Sequence, residues 1–469
     1  MFGSRRSVAA AMALAVAGTL AAAPATALAQ HDQSVVSAYF AGWDVYGRGY
    51  HVKDIPADKI NVIQYAFAAP TFDKATGAVG CSVLDPWADY QQPYPADLAV
   101  GGVADDAADA NQHLYGNFNQ LRRLKAAHPG LRVEISVGGW TKSTWFSSVA
   151  ADANRRKQFV QSCVDTFIKG DLPGGGWPAS AGGPGAATGL FDGIDVDWEY
   201  PTQVAGGNVD PSPADRHNAT ELFTEFRRQL EAQGARDHRH YLLTAALPAT
   251  SKAGQYYELP QAIAQLDWAN LMTYDYNVPG GGIAAPDTLL RPDPRDPNAK
   301  DLTGNTIGTV AYYLGRGVPA NKIVVGVPFY GNQYLRTGGL YQKADNSGLD
   351  PNSLAWDAKP QPTYHDLVDT AHVVGANGFS QHWNAFAGEP WLYNPAQSHN
   401  LCGQFNADGS CASPYQVSTS TLITYSDPRS IGERTELIRS WHLRGAMAWE
   451  LSQDSNDHAL INALSPLLH

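Results

Sequence analysis

Residues 192–199 read D-G-I-D-V-D-W-E, an alternation of acids with bulky apolar side chains. In an extended strand, residues two apart share a face. Asp195, Asp197 and Glu199 then point one way, and Ile194, Val196 and Trp198 the other. Three carboxyl groups crowded on one face cannot all ionise at neutral pH, so one stays protonated and can act as an acid. Asp192 has the wrong parity to join them unless the strand bulges near Gly193, and a supporting structural role is expected for it. Alone, such an octapeptide is more often half of a solvated amphipathic strand. What surrounds it decides between the two readings.

Eight short apolar runs read as strands: 35–42, 60–68, 131–138, 191–198, 241–247, 268–274, 322–329 and 445–451. Helical patterns fall at 117–127, 153–169, 219–232, 306–315, 430–442 and 459–468. Eight strands alternating with helices predict a parallel (β/α)8 TIM barrel in the α/β class. No Gly-rich phosphate loop follows the first run, so an open nucleotide-binding sheet is the poorer reading. Two connections are unusually long. Residues 70–114 follow the second strand. Residues 331–426 follow the seventh and read as a small α+β insertion domain, leaving 30–330 and 427–469 as the barrel. The Gly/Ala/Pro stretch 174–189 reads as a mobile surface insertion.

The active sites of such barrels lie at the C-terminal ends of the strands. Glu199 ends strand four there. Gly138-Gly139-Trp140 follows strand three, Tyr274-Asp275 follows strand six and Trp449-Glu450 closes strand eight, with Tyr39 on strand one and Phe67 on strand two. Acids ringed by aromatics suit glycoside chemistry: platforms for sugar rings and an acid for the leaving oxygen.

Composition agrees. The chain has 469 residues, 33 Lys and Arg against 45 Asp and Glu, and a net charge of −12. No basic stripe is visible, which argues against nucleic acid and anionic membranes as partners. Residues 1–29 read as a signal peptide: Arg5 and Arg6, an apolar run, then Ala27-Leu28-Ala29 as a cleavage site. Secretion is therefore expected, and no later run is long and apolar enough to span a bilayer. Cys402 and Cys411, close together in a polar stretch, are expected to pair. Cys81 sits in a loop-like stretch, and Cys163, in a helical pattern, is read as either a buried thiol or half of a bridge. No Cys/His cluster points to a metal, and no cofactor is expected.

The 192–200 segment resembles the D-G-x-D-x-D-x-E signature of the family 18 glycoside hydrolases. Ser136-Val137-Gly138-Gly139 is similar to the family's S-x-G-G motif, and Met272-Thr273-Tyr274-Asp275 to its M-x-Y-D. Tyr39-Phe40, Tyr65-Ala66-Phe67-Ala68, Pro328-Phe329-Tyr330-Gly331 and Met447-Ala448-Trp449-Glu450 fit in order. The likeness covers nearly the whole chain after residue 29, and 331–426 resembles the insertion domain of the deep-cleft subfamily. It implies a secreted bacterial chitinase that acts, as a monomer, on chitin and chito-oligosaccharides.

By that resemblance, Glu199 protonates the glycosidic oxygen and the substrate's own acetamido group attacks, the substrate-assisted route with net retention. Asp197 holds the acetamido N–H, Asp195 shares a proton with Asp197, and Tyr274 aligns the acetamido oxygen. Trp449 floors the −1 sugar among Tyr39, Phe67, Met272 and Asp275. Trp140 lines the +1 side, and Gly139 and Tyr330 complete the binding set. The family usually continues P-x-Y-G with Arg; here Asn332 follows, and Arg336 is the nearest substitute. The alternatives are a non-hydrolytic lectin on the same fold, an endo-acting enzyme on N-glycans, and a metal-dependent hydrolase with Asp192, Asp195 and Asp197 as ligands.

Overall fold

The apolar runs become strands because their alternate residues can be buried on both sides, inward in the barrel and outward under helices. In the computed structural model, which describes residues 34–469 except 205, 298 and 300, these strands close into a barrel. In chain order they are β1 (Val35–Ala41), β2 (Val62–Phe72), β3 (Val79–Val83), β4 (Arg132–Gly138), β5 (Gly193–Asp197), β6 (Leu242–Pro248), β7 (Trp268–Met272), β8 (Ile323–Pro328) and β13 (Gly445–Trp449). The sheet order is β1-β13-β8-β7-β6-β5-β4-β2-β3, and a parallel β1–β2 pairing closes it. Eight of the nine strands are parallel. β3 is the exception, an antiparallel hairpin partner of β2. The turn between them is tied by Asp73 N–H to the Ala78 carbonyl at 2.9 Å. The outer helices include Gly116–Ala127, Ala153–Cys163, Asp215–Asp237, Thr306–Gly315 and Pro428–Ser440.

Every expected strand is present within a few residues of its predicted ends. The 70–114 connection is less irregular than its sequence implies, because it contains β3. The 331–426 stretch carries four strands: β9 (Asn332–Leu335), β10 (Ser380–Asn384), β11 (Glu389–Cys402) and β12 (Pro414–Thr424) form an antiparallel sheet in the order β10-β11-β12-β9. A fully buried ion pair, Arg434 Nη1 to Glu389 Oε1 at 2.5 Å, joins β11 to the helix Pro428–Ser440.

The cysteines form two disulfides, Cys81–Cys163 and Cys402–Cys411. The second was expected. The first resolves the open reading of Cys163, because Cys81 lies on β3 rather than in a loop and faces the helix ending at Cys163. The stretch 174–189 is not a loose insertion: Ala181 and Ala187 are buried, and Gly183 N–H and Ala187 N–H bond to the Leu172 and Gly170 carbonyls. The expected signal peptide lies outside the described residues. No helix among those described is long and apolar enough to cross a membrane.

Candidate active site

β5 runs in register with both neighbours and carries no bulge. Parity therefore holds. Ile194, Val196 and Trp198 are fully buried on the outer face, where the Trp198 ring stacks on Phe146 with centroids 5.3 Å apart. Asp195, Asp197 and Glu199 face inward and upward. Asp192 stands at the other end of the strand, where it pairs with Lys125 Nζ at 2.7 Å and with Arg239, and accepts from Val133 N–H at 2.9 Å. It cannot share a metal ion with Asp195 and Asp197, which removes the reading of those three aspartates as one ligand set.

Two glycines shape the rim. Gly138 has φ +116°, and a Cβ there would lie 2.1 Å from the Asp197 carbonyl oxygen. Gly139 has φ +92°, and a Cβ would strike the Phe67 ring at 2.7 Å. Only glycine lets β4 end against Asp197 while leaving room for that ring. Ser143 completes the junction. Its buried Oγ accepts the Glu199 N–H at 2.9 Å and lies 3.0 Å from the Gly139 carbonyl and 3.1 Å from that of Asp197.

Above this rim lies a cavity of about 570 Å³. Glu199, Asp197, Tyr274, Tyr39, Phe67, Trp140, Met272, Asp275, Tyr330 and Trp449 all line it. Two expected members do not. Gly139 sits behind Phe67, and Asp195 lies beneath the floor, fully buried. Trp449 stacks on Phe67 at 5.8 Å and meets Tyr39 edge-on at 5.0 Å, which builds the apolar floor. Several lining residues escaped the sequence reading, among them Trp43, Tyr200, Gln203, Lys252 and Tyr256. They lie on loops or single helical turns too short for a periodic pattern, although Trp43 and Tyr200 each follow a strand end, which could have flagged them.

The three acids have different surroundings. Asp195 accepts from Ser136 Oγ and Thr244 Oγ1, each at 2.7 Å, from Tyr39 O–H at 2.9 Å and from Asn270 Nδ2 at 3.3 Å. Burial raises its pKa and these four donors oppose the rise. Asp197 has no such support: its Oδ1 is buried without a hydrogen-bond partner. Burial first, then the charges of Glu199 and Asp195, push it well above the carboxylate range. Burial also lifts Glu199 to about 7, with the charge of Asp275 adding to the rise. The triad thus has one carboxyl held by four donors and two with less support, all three raised by burial. Among the described residues Tyr274 O–H has only Met447 Sδ at 4.0 Å, a weak acceptor, so a strong donor is left at the cavity wall.

Asp275 accepts from Tyr330 O–H at 2.9 Å and from Gln361 Nε2 at 3.3 Å. Asn332, in the place of the usual Arg, is buried and donates to the Asn277 carbonyl at 2.7 Å. Arg336 does not take over. It bonds the Asp345 and Ser347 carbonyls and is absent from the cavity lining.

The model of glycosyl hydrolases family 18 matches residues 35–454. The chain belongs to this family. It is 34% identical to Chitinase A1 of Niallia circulans over 92% of its own length and 30% identical to Chitinase C of Streptomyces lividans over 89%. It spans 58% and 57% of those two proteins. Among solved structures, the catalytic domain of the psychrophilic chitinase B from Arthrobacter TAD20 superposes with a TM-score of 0.76 at 30% identity, covering 93% of this chain and 96% of that one. The TIM barrel expected from the strand pattern agrees with this likeness.

Proposed function

We propose that this chain is a chitinase that cleaves β-1,4 bonds between N-acetylglucosamine units in chitin and chito-oligosaccharides. The observation that carries the reading is the buried, unpartnered Oδ1 of Asp197, a residue that lines an aromatic-floored cavity with Glu199 while Asp195 beneath is fully hydrogen-bonded. An acceptor held dry and unpaired is costly unless a ligand supplies its donor. An acetamido N–H is such a donor, and Tyr274 O–H is placed to serve the acetamido oxygen.

In this mechanism Trp449, Tyr39 and Phe67 hold the −1 sugar, and Trp140 lies on the leaving side. Glu199 delivers its proton to the glycosidic oxygen as the C1–O bond breaks. The acetamido carbonyl oxygen bonds to C1, giving an oxazolinium ion whose positive charge Asp197 faces. Water then attacks C1 from the side the leaving group vacated, the bond from C1 to the acetamido oxygen breaks to restore the acetamide, and the Glu199 carboxylate takes the water's proton. The configuration is retained. The buried site strengthens each of these charge interactions relative to water. The chain is further proposed to be secreted and monomeric, with 331–426 as an insertion domain on a barrel made of 30–330 and 427–469.

Acetylated and fully deacetylated glucosamine hexamers test the reaction. Reducing ends should appear only from the acetylated chain. Equal cleavage of the deacetylated hexamer would exclude acetamido attack, and tight binding without any cleavage would favour the lectin reading.

A further inference from the structure

A second buried acid lies beneath the triad. Glu134 on β4 points into the barrel two residues before Ser136 and is fully buried. Its carboxyl makes one kind of contact, with Thr244 Oγ1 at 3.2 and 3.3 Å. The same hydroxyl stands 2.7 Å from Asp195 Oδ1. A threonine hydroxyl has one proton and two lone pairs. The shorter contact and the better acceptor place that proton on Asp195. The lone pairs of Thr244 are then what Glu134 meets.

A carboxylate facing lone pairs in a dry core has nothing to stabilise it; a carboxylic acid can donate there. The charges around Glu134 give the same answer. Its in-register neighbours are Gln64 on β2 and Gly193 on β5, neither of them charged. The other titratable groups that act on it are Asp195 on β5 and Asp267 ahead of β7, both raising its pKa, and Arg132 on its own strand, whose lowering effect is the smallest; burial exceeds all three.

We propose that Glu134 is a positioning residue for the proposed hydrolysis: as a neutral acid it donates to Thr244 Oγ1 and so fixes the Thr244 proton on Asp195. The consequence is directional. A hydrogen bond received by a hydroxyl strengthens the one that it gives. Asp195 is held in its ionised, downward-bonded form, and the proton of the aspartate pair is left to Asp197, the member that faces substrate. The inference rests on the assigned roles of Asp195 and Asp197, but the protonation of Glu134 can be measured without turnover.

The experiment compares wild type with E134Q, E134M and T244V. In the infrared difference between wild type and E134Q at neutral pH, the carbonyl stretch of a protonated carboxyl is expected. Its absence overturns the proposal. On an N-acetylglucosamine oligomer, the acidic limb of kcat/KM reports ionisation of the Asp195–Asp197 pair. E134Q, whose amide still donates to Thr244, should keep that limb where wild type has it. An ionised Glu134 would instead make E134Q lower the limb by about one unit or more, because a like charge is removed. E134M should raise the limb by a few tenths of a unit, on the order of one lost cooperative bond, and T244V by about a unit, as loss of a bond to a charged group implies. Adding E134M to T244V should change nothing further. Additive shifts, or an E134M variant that loses stability with an unmoved limb, would reduce Glu134 to a packing role. Should wild type cleave no oligomer, the proposed function fails and the infrared band alone decides whether Glu134 is the neutral donor inferred here.

Discussion

Replacing Ser143 with alanine should disturb the acid without touching it. The Ser143 hydroxyl is fully buried and joins three backbone groups of the rim: it accepts from Glu199 N–H at 2.9 Å and shares its one proton between carbonyls at 3.0 and 3.1 Å. Alanine leaves the Glu199 N–H dry and unpaired and removes the donor from both carbonyls. One buried unsatisfied donor costs about 1–3 kcal/mol. Each kcal/mol lowers Tm by roughly 2–4 °C in a domain of 150–250 residues and by less in a longer one, so a loss of a few degrees is expected. The kinetic effect should be larger in proportion, because the lost bond fixes the backbone that carries the acid. Misplacement of a reacting group by a fraction of an ångström to one ångström costs about 10- to 100-fold. The assay is kcat and KM on a chromogenic chito-oligosaccharide beside thermal unfolding. The expected pattern is a fall in kcat at nearly constant KM, with a modest loss of Tm. A loss of Tm with kcat within twofold of wild type would refute the claim that Ser143 positions Glu199.

Three further outcomes follow from the same geometry. Glu199 must be protonated to act, and its pKa is lifted to about 7, so kcat/KM should fall about tenfold per pH unit above that value; removing the neighbouring charge with D275N should move the midpoint down, and a rate flat to pH 9 would contradict the assignment. The raised acid also sets a stability trend. The folded state binds a proton at Glu199 that the unfolded chain releases above pH 4.5, so this group costs stability as pH rises toward 7. E199Q should therefore gain unfolding free energy relative to wild type between pH 5 and pH 8, by on the order of 3 kcal/mol at the upper end, and a constant difference would show that the acid is not strained by burial. Finally, Cys81–Cys163 closes 82 residues of chain between β3 and a barrel helix. The double serine variant should lose roughly 4 kcal/mol in denaturant unfolding, and a loss under 1 kcal/mol would mean that the hairpin holds without it.

Most of this architecture is legible in the sequence because burial on both faces of a parallel strand leaves a short, dense apolar run. Parity did the rest on β5: it separated Asp192 from the other three acids, and the ion pairs of Asp192 with Lys125 and Arg239 explain why it stands apart. What stayed hidden depends on partners distant in sequence. The Cys81–Cys163 bridge requires knowing that 79–83 returns on β2, and its turn lies inside a long polar connection. Trp43, Gln203, Lys252 and Tyr256 reach the cavity from loops or single helical turns whose course no local pattern fixes. Ser143 is one serine in a polar stretch until β5 is placed beside it. Glu134 is different, since the alternation Arg132, Glu134, Ser136 already puts it on the inward face of β4. It stands two residues before the S-x-G-G motif, outside the segment that the family signature covers. Gly139 and Asp195 show the opposite limit. Sequence placed them at the site, and in the structure Gly139 sits behind Phe67 and Asp195 lies beneath the floor.

The central claim is that Glu199 supplies the proton. Wild type and E199Q, compared on N-acetylglucosamine hexamer at pH 6 under single-turnover conditions, test it most directly. Loss of the general acid should slow cleavage by about 10²- to 10⁴-fold while oligomer binding stays within a few fold of wild type. An E199Q enzyme that releases reducing ends at close to the wild-type rate would contradict the account.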